Sequence, residues 1–148
     1  MTSHSDRAIA FFEQGYNCAQ ATCAAFAADF GLDTELATRM VAGLGAGRGG
    51  QRETCGAVSA MAIIAGLAAG SFAPNDLGAK RALYARIREM DREFSRTHGS
   101  TCCRDLLLRA GVAASPEPAE RTPEYCALRP CVRFVATAAA IASRMLAG

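Results

Sequence analysis

Tryptophan is missing from this 148-residue chain, histidine occurs twice, and lysine occurs once, at Lys80. With seven Phe, three Tyr and no Trp, there is little aromatic surface on which nucleobases could stack. Sixteen basic residues against fourteen acidic leave a net charge of +2, and the fifteen arginines are spread along the chain rather than gathered in a stripe. That distribution excludes a nucleic-acid partner on electrostatic grounds. No C-x-x-C occurs, which removes the thioredoxin motif and the usual zinc knuckle, and no C-x-x-C-H occurs, which removes covalent c-type haem. No basic segment followed by an apolar run opens the chain, so the expected location is the cytoplasm. The one long uncharged run, Thr54 to Asn75, is rich in Ala and Gly and reads as a helix buried in a bundle rather than a membrane span.

Period-2 alternation is also missing, whereas helical spacing recurs throughout. The pattern predicts helices over Ser5–Gln14, Cys18–Phe30, Asp33 to about Leu44, Cys55 to about Gly70, Asn75–His98, Cys102–Ala110 and Pro130 or Cys131 to Leu146. In the first, Ala8, Ile9, Phe11 and Phe12 share a face. In the third, Leu36, Met40 and Val41 are expected to point inward. In the fifth, Leu83, Ile87, Met90 and Phe94 make the core stripe, with Arg88–Asp91 and Glu89–Arg92 as surface pairs. Gly111–Pro130 holds four of the five prolines and reads as loop. The chain is 51% hydrophobic and 20% charged, which suffices for a core. The expectation is all-α: a single compact bundle of six or seven helices over residues 1–148, with a Gly-rich loop before a central apolar helix.

Seven cysteines dominate what remains. In a reducing compartment they point to metal, redox chemistry or packing rather than structural disulfides. Their positions separate them. Asn17, with Gln20 three residues on, forms a capping-box pattern in front of Cys18. Thr54 precedes Cys55, Ser100 and Thr101 precede Cys102 and Cys103, and Pro130 precedes Cys131. At least four helices thus begin with a cysteine. A helix N-terminus offers unpaired N–H donors and partial positive charge, both of which favour a thiolate. Cys23 lies mid-helix on an apolar stripe and reads as packing. Cys126 is open between spare thiol and participant. Packing of all seven is the bland alternative, and repeated placement at helix starts argues against it.

Gly45-Ala46-Gly47-Arg48-Gly49-Gly50 matches G-x-G-x-x-G, but a helix rather than a strand precedes it, so a dinucleotide site is not expected. These glycines read instead as a tight connection, or a close backbone approach, near Cys55. Arg48 and Arg52 flank that region and either face an anion or sit in solvent. His98, near Cys102, is a weaker ligand candidate than a helix-end residue favourable to the dipole.

Gly15-Tyr16-Asn17-Cys18-Ala19-Gln20 and Thr54-Cys55-Gly56-Ala57-Val58 resemble the C_GCAxxG_C_C family of putative redox-active proteins. The similarity continues in Gly99-Ser100-Thr101-Cys102-Cys103-Arg104-Asp105-Leu106-Leu107 and in Cys131-Val132-Arg133-Phe134-Val135. The resemblance implies a prosthetic group, an iron–sulfur cluster, held by Cys18, Cys55, Cys103 and Cys131. It favours Cys103 over Cys102 and Cys131 over Cys126. Ala60 stands where the motif carries its last Gly, adding a methyl at a close-packed spot. Four thiolates suit [2Fe–2S], slightly preferred, or [4Fe–4S]. The same thiols would serve a thiol–disulfide protein, or a zinc or copper(I) binder. A redox partner protein and a homodimer are the expected associations; whether the protein is an enzyme is left open.

Overall fold

The computed structural model describes residues 2–148, without the side chains of 126–128. Eight α-helices are found among the described residues and no strand. They are α1 (His4–Glu13), α2 (Cys18–Ala27), α3 (Thr34–Val41), α4 (Gly56–Ala69), α5 (Leu77–His98), α6 (Cys103–Arg109), α7 (Pro123–Leu128) and α8 (Cys131–Ala147). The all-α expectation holds. One helix is additional: α7 lies in the Pro-rich segment expected to be loop, started by Thr122 as N-cap and Pro123 in the first turn. Proline breaks a helix interior but suits its first turn, so counting prolines alone misreads such a segment.

Local signals start and stop the elements as their chemistry requires. Ser3 with Asp6, and Asn17 with Gln20, make complete capping boxes. The Asp33 and Asp76 carboxylates accept from Leu36 N and Ala79 N and so cap α3 and α5. Gly31, left-handed at φ 67°, ends the 3₁₀ turn after α2.

Helix α4 is the centre. Ala57, Val58, Ala60, Met61, Ile64 and Ala65 are all buried, and α4 packs against α2, α5 and α8. Helix α1 lies across α2 and α8, with Ala8 and Phe12 in the core. Each fully buried Ile or Met side chain contributes roughly 1.5–3 kcal/mol. No helix among the described residues is long and apolar enough to cross a membrane.

Two expected details are corrected. In α3, Ala37, Thr38 and Val41 face inward, while Leu36 and Met40 are exposed. The neighbouring α2 surface is largely Ala, and the Gln20 side chain reaches the Thr38 carbonyl, 3.1 Å away. This close approach selects the small face of α3, not the bulkier one. In α5, Met90 and Phe94 are buried with Leu83 and Ile87 partly so, and Glu89–Arg92 pairs at 2.9 Å. The Arg88–Asp91 pair is not among the ion pairs of the described residues. Asp91 Oδ1 is buried without a hydrogen-bond partner, and burial pushes this carboxyl above its ordinary range.

A carboxyl raised by burial destabilises the fold while it is charged, and the native state recovers stability as pH falls through the raised value. Asp91→Asn is therefore expected to be more stable than the parent chain at neutral pH. The advantage should vanish once both native and unfolded carboxyls are protonated. Denaturant titrations at neutral and acidic pH check this.

Candidate functional site

The Gly-rich stretch folds as a left-handed turn. Ala46 (φ 53°), Gly47 (65°), Arg48 (72°), Gly49 (61°) and Gly50 (82°) follow one another with positive φ. Left-handed residues ordinarily occur singly, and each non-glycine one costs about 1–2 kcal/mol. Hydrogen bonds lock the run: Gly49 N to Gly43 O, 2.8 Å, Arg52 N to Ala46 O, 3.1 Å, and Glu53 N to Gly47 O, 2.9 Å. A Cβ on Gly47 would stand 2.5 Å from the Arg52 Cα, so the turn folds directly onto the chain that leads to Cys55. Such stored strain is a mark of functional loops.

Beyond the turn, 52–55 runs antiparallel to 101–104 through a single bridge between Thr54 and Cys102. Cys55 N donates to Thr101 O at 2.8 Å, and Arg104 N to Arg52 O at 3.1 Å. This pairing sets the start of α4 beside the start of α6. Cys18 and Cys131 open α2 and α8, and α2 packs against both α4 and α8. Cys18, Cys103 and Cys131 are first helical residues; Cys55 is the N-cap of α4, one place earlier than the sequence pattern suggests.

All four cysteines line one cavity of about 420 Å³. Arg52, Arg121, Tyr125 and the left-handed turn line it too, and among the described lining residues there is no Asp or Glu. Two arginines and four cysteines thus share one lining that, among the described residues, has no carboxylate. The Arg52 side chain is buried, its Nε donating to Ser115 O at 2.8 Å and its Nη1 reaching Cys103 Sγ at 3.6 Å. Arg121 donates to the carbonyls of Phe12 and Tyr16, at 2.8 and 2.9 Å, and lies over the Phe12 ring. Of the two loop arginines, Arg52 faces the site and Arg48 is exposed.

Helix starts do not by themselves keep these sulfurs anionic, contrary to expectation. Burial pushes Cys55 up to about 12, against the backbone N–H groups of Val58 and Ala57 that pull it down. Burial raises Cys103 as well, opposed by the hydrogen bond and charge of Arg52. Desolvation outweighs the amide donors because a buried anion loses all its water and regains only part of that stabilisation. Cys18 and Cys131 shift each other: Cys18 is raised, first by Cys131 and then by burial. Cys131 is lowered to about 7 by Cys18, against burial, with Arg129, Arg121 and Arg52 assisting.

Cys23, Cys102, His98 and Ala60 do not line the cavity. Cys23 is buried against Ala19, Val41 and Ala60, and burial alone pushes it up to about 12. Cys102 turns from Cys103 and donates to the Arg52 carbonyl, 3.6 Å away. His98 is half-buried, bonded to Thr137 Oγ1 at 2.9 Å and packed edge-on to Phe134. Ala60, fully buried in the small-residue cluster with Cys23, does not line the cavity, so its methyl leaves the site untouched. The Cys126 side chain lies outside the described residues. The other six cysteines are free thiols. Arg121 and Tyr125 were not singled out by the sequence, which offers no motif around them.

Residues 16–145 match the family described as "Putative redox-active protein (C_GCAxxG_C_C)". The chain belongs to this family. The match runs from Tyr16 to Met145 and takes in all four cavity cysteines. Comparison with curated proteins and with solved structures gives no match.

Three outcomes are expected. Gly47→Ala, strained at φ 65° and blocked by backbone, should cost about 2–4 kcal/mol of stability by denaturant titration. In the metal-free reduced chain, carboxymethylation of Cys131 should rise with pH through a midpoint near 7, because the thiolate is the reacting form. Cys18→Ala should move that midpoint upward, as mass spectrometry of the labelled peptides would show.

Proposed function

We propose that this member of the family is an electron-transfer protein holding an iron–sulfur centre between Cys18, Cys55, Cys103 and Cys131. The observation that carries this reading is the shared cavity: four thiols from the starts of four helices, two arginines, and no carboxylate among the described lining residues. The donor set suits the group. Cysteine sulfur is the usual ligand of such clusters, and a cluster with four thiolates is anionic, a charge that Arg52 and Arg121 would offset. Among the described residues, no three His, Cys, Asp or Glu side chains gather in the way a single metal ion needs. A polynuclear group does not need such convergence, since its own iron and sulfide atoms occupy the space between thiolates.

The chain's own part follows from the geometry. Cys55 and Cys103, raised by burial, are thiols that ionise when a cation replaces the lost water. The helix-start amides and Arg52 then stabilise the sulfur charge. The apolar walls supplied by Phe12, Leu106, Leu107 and Phe134 limit water. When bound, the group supplies one-electron chemistry, with a potential sensitive to this charge and burial.

A second reading has its own observation: Cys18 and Cys131 line the same cavity, and each shifts the other's ionisation, Cys18 upward and Cys131 downward. Here the pair gives two electrons and two protons to a partner's disulfide, forming a Cys18–Cys131 bond and two partner thiols.

Anaerobic purification, followed by iron, sulfide, free-thiol and visible-absorbance measurement, separates the two. The first reading expects colour with iron and sulfide, lost in Cys55→Ser and kept in Cys23→Ser. A colourless, metal-free protein that reversibly loses two thiols supports the second, and stoichiometric zinc or copper without colour overturns both.

A further inference from the structure

Cys55 is 3% exposed and Cys131 9%, so both sulfurs lie at the inner end of the partly open cavity, and a wall that moved would widen the way to them. One wall differs from the others. Residues 112–122 run along one side of the cavity without regular structure, between α6 and α7, and Pro116, Pro118 and Ala119 line it from that side. At its start Val112 N donates to Leu107 O, 2.9 Å, and at its end Arg121 is bound to the carbonyls of Phe12 and Tyr16. Between these anchors, among the described residues, one hydrogen bond ties the segment to the rest of the molecule: Arg52 Nε to Ser115 O. Next to it, Gly50 receives the Pro116 carbonyl at a place where a Cβ would stand 2.4 Å from that oxygen. Val112 and Ala114 pack against the core, whereas 116–120 is exposed, and this outer part, with one central bond before the Arg121 anchor, has the features of a unit that opens alone.

The central bond is shared with the site. Arg52 also reaches Cys103 Sγ, and its backbone is pinned: its amide donates to Ala46 O, and its carbonyl accepts from Arg104 N and the Cys102 thiol. Only the guanidinium end is free to respond. If Cys103 stops accepting, a buried donor is left unpaired, and the guanidinium reorients to recover a partner.

We propose that 112–122 is a removable cover over the four-cysteine cavity, latched by Arg52, and that the Cys103 sulfur governs the latch. The proposal rests on the cavity being the working site, but not on which group occupies it. An acceptor at Cys103 holds the guanidinium in line with Ser115 and keeps the cover down. Loss of that acceptor releases it.

The metal-free reduced chain tests this with two readouts: Glu-specific protease nicking after Glu120, and labelling of Cys55 by a neutral maleimide. Cys103→Ala and Arg52→Lys should each raise both rates by about fivefold or more, the scale of one hydrogen bond. Cys103→Ser, still an acceptor, should stay near the parent rates, as should Cys23→Ala. Equal rates in Cys103→Ala and the parent, or Cys103→Ser opening as far as Cys103→Ala, would overturn the latch. If Arg52→Lys fails to fold, the Ala-against-Ser comparison decides alone. Iron content measured separately keeps the two readings apart. A chain that never takes iron yet shows the Ala/Ser split loses the cluster and keeps the cover, and the converse result removes only the cover.

Discussion

Loss of water around four sulfur atoms is the constraint on which this structure depends. A thiol buried in an apolar bundle stays neutral unless something returns the stabilisation that water gave its anion. The fold offers part of it, through helix-start amides and guanidinium groups, and the balance differs from one sulfur to the next. At Cys55 the amides of Ala57 and Val58 lose to burial. At Cys131 a neighbouring thiol and three arginines win. One cavity thus contains thiols of opposite tendency, and an added cation would draw the reluctant ones into the same ionised set.

The strained turn at 46–50 makes sense within that constraint. Its left-handed residues are unfavourable in isolation, yet they place Arg52 where a buried positive charge meets sulfur rather than solvent. Arg52 itself sits at φ 58°, outside the preferred conformations of an L residue. The surrounding hydrogen bonds, to Ala46, Arg104 and Ser115, hold it there. Strain in the turn and charge in the cavity are two sides of one arrangement.

Much of the fold was legible because its signals are local. Asn17 and Gln20, or Asp33 and Leu36, lie within one turn of each other, so their chemistry acts whatever the rest of the chain does. Less was legible where neighbours decide. Leu36 and Met40 are more apolar than Ala37 and Thr38, yet the tight approach of α2 buries the smaller pair. Asp91, three residues from Arg88 on a charged face, turns its carboxylate inward instead. The cysteine placements were readable as helix starts, whereas the ionisation expected from them was not, since burial is a property of the assembled core.

By itself the sequence determined the class of the protein: all-α, opened repeatedly by cysteine, capped by Asn17 and Asp33, and a member of a redox-active family. Those features rest on periodicity and contacts a few residues apart. Only the tertiary structure decided that Arg52 and not Arg48 faces sulfur, and that Arg121 arrives from 109 residues away to meet Phe12. Charge and desolvation act through space, between groups that the chain brings together only when it closes on itself.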